Sequence, residues 1–189
     1  MILADSDIKK ALKTGKIKID PPPDLEEQLG SCSLDFKLGN VFKVFNHSSF
    51  PYIDPRQPQD ENLMKEIVVE KDKPFIMQPH DFVLAVTQEY IDLPDDLLGR
   101  LEGRSSLGRL GIIVHSTAAV FDPGWRGKAT MEIGNLGRMP VALYPGMRIC
   151  SMTFEELTSP AEVPYFQKKT AKYINQVSPL ASKISGEAT

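Results

Sequence analysis

The segment Gly103-Arg104-Ser105-Ser106-Leu107-Gly108-Arg109 has the residue types to hold phosphate. Glycine lets backbone N–H groups approach an oxyanion, the serines add donors, and guanidinium forks match phosphate oxygens. It is not a Walker loop, because GxxxxGK[ST] is missing. The plainer alternative is a turn whose two arginines make surface ion pairs. A second segment, Asp122-Pro123-Gly124-Trp125-Arg126-Gly127, uses Pro-Gly to turn tightly. Such a hairpin loop would hold Asp122 against a sugar hydroxyl. Glu132 stands between Met131 and Ile133. On a strand those two would share one face and Glu132 would take the other. On an edge strand Glu132 would meet only water; facing a pocket, it would be placed to move protons. His115 suits a hydrogen-bonded structural role better than catalysis. Trp125 suits packing at a turn better than stacking on a ligand. Cys150, Met131, Met147 and Met152 read as core filling.

Short alternating segments must carry these groups. One opening helix stands out: Asp5 or Ser6 can cap it, Ile8, Ala11 and Leu12 share a face, and Gly15 stops it. Strand patterns follow at 17–20, 34–38, 41–45, 66–69, 75–77, 82–87, 100–102, 111–114, 129–133, 141–143 and 148–154. Gly39-Asn40 reads as a turn between two of them. Residues 93–99 read as a turn with a short helical piece, and 107–110 as one helical turn. Residues 46–64, with Pro51, Pro55 and Pro58, read as an irregular surface loop. Many short strands with Gly/Pro turns predict an all-β sandwich or barrel. The polar tail, 158–189, is either a free end or an arm that orders on a ligand.

Composition narrows the function classes. The 189 residues are 41% apolar, which suits one domain, or one with an arm. Lys and Arg number 22 against 25 Asp and Glu, a formal charge of −3, so a protein that coats nucleic acid is not expected. No apolar run nears the roughly 18–20 residues that span a bilayer, and the first residues lack the pattern of a signal peptide. A cytoplasmic protein with no membrane partner is expected. Two cysteines and three histidines offer no paired zinc spacing and no HExxH.

Read in order, these segments resemble the dCTP deaminase family of the trimeric dUTPase superfamily. The resemblance rests on Gly103 to Gly111, His115-Ser116-Thr117-Ala118, Asp122 to Gly127, Met131-Glu132-Ile133 and Pro145-Gly146-Met147. It extends to Pro164-Tyr165, Ala171-Lys172-Tyr173-Ile174-Asn175-Gln176, the opening Ile2 to Ile8 and Ser33-Leu34-Asp35. It implies a distorted antiparallel β-barrel, jelly-roll-like and dUTPase-type, with a short N-terminal helix. Residues 1–157 would form this nucleotide-binding barrel and 158–189 an arm closing over the active site. A homotrimer would carry its sites at subunit interfaces. The reaction would be zinc-independent hydrolysis of dCTP to dUTP and ammonia, with Mg²⁺ carried by the triphosphate. The zinc nucleobase deaminases use a different ligand pattern. By the same resemblance Glu132 would be general base and proton shuttle, and Ser105 and the Ala118 carbonyl would place the water. Arg109 would polarise the ring. Arg104, Ser105 and Ser106 would take the triphosphate, with Leu107 and Gly108 in the same binding segment. Asp122 would hold the 3′-hydroxyl, and Thr130 and Met131 would offer backbone to the base. Tyr165, Lys172 and Gln176 would close from the arm, and dTTP would inhibit.

The product is the open branch. Bifunctional relatives, which continue to dUMP and pyrophosphate, have Thr-Ala-Gly where this chain has Thr117-Ala118-Ala119; single-function ones have Thr-Ala-His. Ala119 matches neither. Trp125 and Ser151 lean toward deamination alone. A non-catalytic deoxynucleotide sensor on the same fold is the alternative from another class.

Overall fold

The structure is a computed structural model that describes residues 1–47 and 50–186. Three helices, α1 (Asp5–Lys13), α2 (Leu25–Gln28) and α3 (Ser105–Gly108), are set among eleven strands. The strands are β1 (Lys18–Asp20), β2 (Leu34–Phe45), β3 (Met64–Val68), β4 (Phe75–Met77), β5 (Phe82–Asp92) and β6 (Leu97–Gly103). They continue as β7 (Ile112–Ile113), β8 (Val120–Phe121), β9 (Arg126–Asn135), β10 (Val141–Leu143) and β11 (Arg148–Glu156). Nine form one curled antiparallel sheet in the order β7-β9-β5-β2-β11-β6-β8, with β1 on β5 and β3 on β2. β4 and β10 pair separately. The mostly-β expectation holds. Among the described residues no helix is long and apolar enough to cross a membrane.

Period-two alternation sets the faces. Ala129, Met131 and Ile133 of β9 are fully buried, while Thr130 and Glu132 between them are half-buried. Phe36, Phe42, Phe154 and Met152 complete the core, each burial contributing about 1.5–3 kcal/mol. Cys150 is buried there too, and desolvation pushes its thiol far above the reactive range.

Several elements differ from the sequence pattern, each for a local reason. Neither Asp5 nor Ser6 caps α1: Ala4 holds the cap position, and the Asp5 N–H donates to the Ser31 carbonyl instead. Gly39-Asn40 is no turn. β2 runs through it, its pairing with β5 shifting register between Leu38 and Phe42. A Cβ on Gly39 would lie 2.9 Å from the Val86 carbonyl oxygen, so the glycine serves close approach. Residues 93–99 contain no helix; Leu97 begins β6, whose Leu97, Gly99 and Leu101 face inward. Asp122-Pro123-Gly124 is not a hairpin tip, because β8 pairs with β6 while β9 pairs with β5. The short helix α2, capped by Asp24, left no periodic trace. The loop predicted at 46–64 ends in a 3-10 turn at Glu61–Leu63, and Met64 already belongs to β3. Ser48 and Ser49 lie outside the described residues.

Where β5 breaks register against β9, polar groups close the gap. Thr87 Oγ1 donates to the Glu89 carbonyl and accepts from the Ala129 N–H. The Glu89 carboxylate, 2% exposed, accepts from Gln28 Nε2 at 3.0 Å and from the Lys37 N–H at 3.0 Å. Desolvation outweighs these donors and raises its pKa. The folded state therefore favours the protonated form, a contribution present at low pH and lost as pH rises through the folded value. Measured against Glu89→Gln, the wild type should gain thermal stability as pH falls from neutral toward about 4. Parallel melting curves across that range would contradict this.

Candidate active site

The register Leu84↔Glu132 and Val86↔Thr130 sets Glu132 on the outer face of the sheet beside Leu84. β9 lies between β5 and β7, so Glu132 is not on an edge strand. Its carboxylate accepts the Ser116 N–H at 3.1 Å, and its own N–H donates to the Val114 carbonyl at 3.0 Å. The loop carrying His115 to Ala118 is thereby held over it. Glu132 opens on a cavity of about 480 Å³. Phe45, Met64, Phe82 and Leu84 make an apolar floor, with the Phe45 and Phe82 rings 6.1 Å apart. Such a floor suits a flat ring.

Five buried side-chain polar atoms lack a partner among the described residues, and four of them line this cavity: Gln59 Oε1, His115 Nδ1, Thr130 Oγ1 and Gln176 Oε1. An unsatisfied buried polar atom costs about 1–3 kcal/mol. Native proteins hold few of them, so four around one cavity mark a place built for a polar ligand.

Asp122 enters from the turn after β8, its Oδ2 accepting from Lys168 Nζ at 2.7 Å. Trp125 is 4% exposed, packing edge-on against Phe121 at 4.6 Å while also lining the cavity. The tail packs on its own chain. Tyr165 N–H donates to the Pro123 carbonyl, Asn175 N–H to Arg126, and Lys128 N–H to Gln176, each at 2.8 Å. Gln176 Nε2 returns to the Lys128 carbonyl at 3.0 Å. Two glycines make room for this. A Cβ on Gly124 would come 2.7 Å from Pro164 Cβ, and one on Gly127 would come 3.1 Å from the Gln176 carbonyl oxygen. Gly127, at φ 151°, also has a backbone that side chains rarely adopt. Gly127→Ala should therefore raise KM by about 10-fold and lower Tm by a few degrees, as strain of about 1–3 kcal/mol implies. Steady-state kinetics and a melting curve check it.

Within one chain the structure brings together Glu132, Ala118, Asp122, Thr130, Tyr165 and Gln176. It does not bring Arg104, Ser105, Ser106, Leu107, Gly108 or Arg109 to that cavity. Ser105, Ser106, Gly108 and Arg109 stand exposed on and beside α3, while Leu107 is buried. Arg104 is engaged elsewhere: its Nε meets Asp35 Oδ2 at 3.0 Å, and Arg148 shares the same carboxylate at 3.4 Å. Met131 points into the core, leaving only its backbone for a ligand. Lys172 does not line the cavity; its carbonyl accepts from Lys183 Nζ. Gln59 and Leu180 line it without any sequence signal, and Tyr173 joins them from the Ala171-to-Gln176 motif of the tail. Among the described residues no three His, Cys, Asp or Glu side chains gather as a metal-ligand set.

Residues 2–157 match the dCTP deaminase-like family. The chain belongs to that family. A relative from Thermomicrobium roseum named dCTP deaminase is 65% identical, over 99% of this chain and 95% of its own. One from Dictyoglomus thermophilum, named dCTP deaminase, dUMP-forming, is 52% identical over 98% of this chain and 95% of its own. The solved 2′-deoxycytidine 5′-triphosphate deaminase of Agrobacterium tumefaciens superposes with a TM-score of 0.65 at 21% identity, covering 82% of this chain. This chain spans 48% of that longer one, and the likeness there is one of fold. With members of the family named as deaminases, the chain is read as an enzyme.

Proposed function

We propose that this family member hydrolyses dCTP to dUTP and ammonia without zinc. The observation that carries the reading is the Glu132 carboxylate, fixed by the Ser116 N–H and turned into a cavity edged with unpartnered polar atoms. Glu132 removes a proton from water, whose oxygen bonds to cytosine C4. The same carboxyl passes that proton to the 4-amino group, the C–N bond breaks, and ammonia leaves. The Ala118 carbonyl and Ser105 place the water. Thr130, the Met131 backbone and Gln176 hold the base over the apolar floor, and Asp122 takes the 3′-hydroxyl.

Ser105 and Arg109 lie away from Glu132 in their own chain. They act in the site of a neighbouring copy, and a homotrimer with three shared sites satisfies this geometry. Arg104, Ser106, Leu107 and Gly108 meet the triphosphate across the same boundary. Mg²⁺ is carried by the substrate, on its phosphates, as magnesium commonly is. Residues 158–189 act as the arm that closes the site and excludes water, Tyr165 and Lys172 with it. dTTP, which shares the sugar and phosphates, competes for the cavity.

Incubating the protein with dCTP and Mg²⁺ and resolving the nucleotides tests this. Ammonia with accumulating dUTP is expected. Ammonia with dUMP and pyrophosphate would establish the second activity named for the Dictyoglomus relative and make Ala119 a substitute for glycine. Bound dCTP without ammonia would overturn the catalytic reading and leave a nucleotide sensor.

A further inference from the structure

Lys168 has no role in the scheme above. It follows the 3-10 turn at Tyr165–Gln167, and its ammonium donates to Asp122 Oδ2 at 2.7 Å. Both side chains are 42% exposed, so the pair contributes little to stability. What distinguishes it is where it sits. The same two segments are joined by the Tyr165 N–H on the Pro123 carbonyl and by Pro164 and Phe166 packed against Gly124. The turn bearing Asp122 and the start of the tail thus dock as one unit. Within that unit the Lys168 ammonium is the side-chain donor that meets the Asp122 carboxylate among the described residues. With Oδ2 taken, Oδ1 accepts no hydrogen bond among the described residues.

We infer that Lys168 is a positioning residue for sugar recognition. It turns the Asp122 carboxylate so that Oδ1 receives the 3′-hydroxyl, making tail docking and hydroxyl recognition a single event. The inference rests on the dCTP reading.

The test compares dCTP with 2′,3′-dideoxycytidine triphosphate, which lacks that hydroxyl. The wild type should favour dCTP by about 10-fold or more in kcat/KM, the scale of one charge-assisted hydrogen bond. Lys168→Met should lose most of that preference. Its kcat/KM for dCTP should fall about 10-fold, chiefly through KM, and that for the dideoxy nucleotide should stay within about 2-fold. Lys168→Arg, which keeps the charge, should recover the preference. Combined with Asp122→Asn, Lys168→Met should add no further loss. Equal losses on both nucleotides would overturn the inference, since Lys168 would then serve the phosphates or the tail alone. So would a wild type blind to the hydroxyl, or an unaltered Lys168→Met. A wild type that leaves dCTP unchanged strikes the function itself, a separate result. Melting temperatures of all variants should agree, because the side chain is exposed.

Discussion

Glu132→Gln should lower kcat by about 10³-fold or more while leaving dCTP binding nearly unchanged. The substitution keeps shape, and its amide oxygen still accepts the Ser116 N–H that fixes the carboxylate at 3.1 Å. The fold and the cavity should persist. On the proposed mechanism, what disappears is the base that deprotonates water and then delivers the proton to the amine. Positioned acid–base groups are worth about 10²–10⁴-fold each, and the proposed mechanism gives both transfers to one group. Calorimetric titration with dCTP beside an ammonia assay separates the two quantities. Residual activity within 10-fold of wild type would remove Glu132 from its role. Loss of binding in step with activity would mean that the carboxylate holds the base rather than the water.

The second large effect comes from mixing two dead proteins. Arg109→Ala should be nearly inactive, and so should Glu132→Gln. When the two are unfolded together and reassembled in equal amounts, activity should return. A site built from the Glu132 of one copy and the Arg109 of the next is intact only for one order of neighbours. Random assembly makes that order in about a quarter of sites. Recovery to about 25% of wild-type activity is therefore expected. The structural ground is plain: Arg109 and Ser105 lie exposed at α3, outside the cavity that Glu132 faces. Mixtures that stay dead would place both residues in one chain's site and demand a large movement of α3.

Much of this site could be read before the fold was known. β9 announces itself because Ala129, Met131 and Ile133 alternate with polar residues, and burial follows that pattern. The turn at Asp122 was legible from Pro-Gly, whose backbone needs are local. Its partners were not, since strand pairing is decided far away: β8 joins β6 and β9 joins β5. Gly39 misled for a related reason, as a glycine making room for Val86 has the same letter as one making a turn. Gln59 had no signal at all. It sits in a loop without periodicity, and only the folded chain brings it to the cavity wall. The Arg104 ion pair was equally hidden, because Asp35 is distant in sequence and only β11, which pairs with both β2 and β6, brings their strands to its two sides.

The six residues from Asp122 to Gly127 do two jobs at once. They present a carboxylate to the cavity, and through Gly124 and Gly127 they leave space for the tail to lie down. Any inherited change that adds bulk at either glycine alters the seat of the tail, whatever it does to Asp122. Lineages of this family should therefore drift at these positions in concert with 164–166 and 176, the residues that fill the space. A chimaera that takes the barrel from one relative and the tail from another should work only when both pieces come from the same history. Exchange of tails between distant relatives would show how narrow that history is.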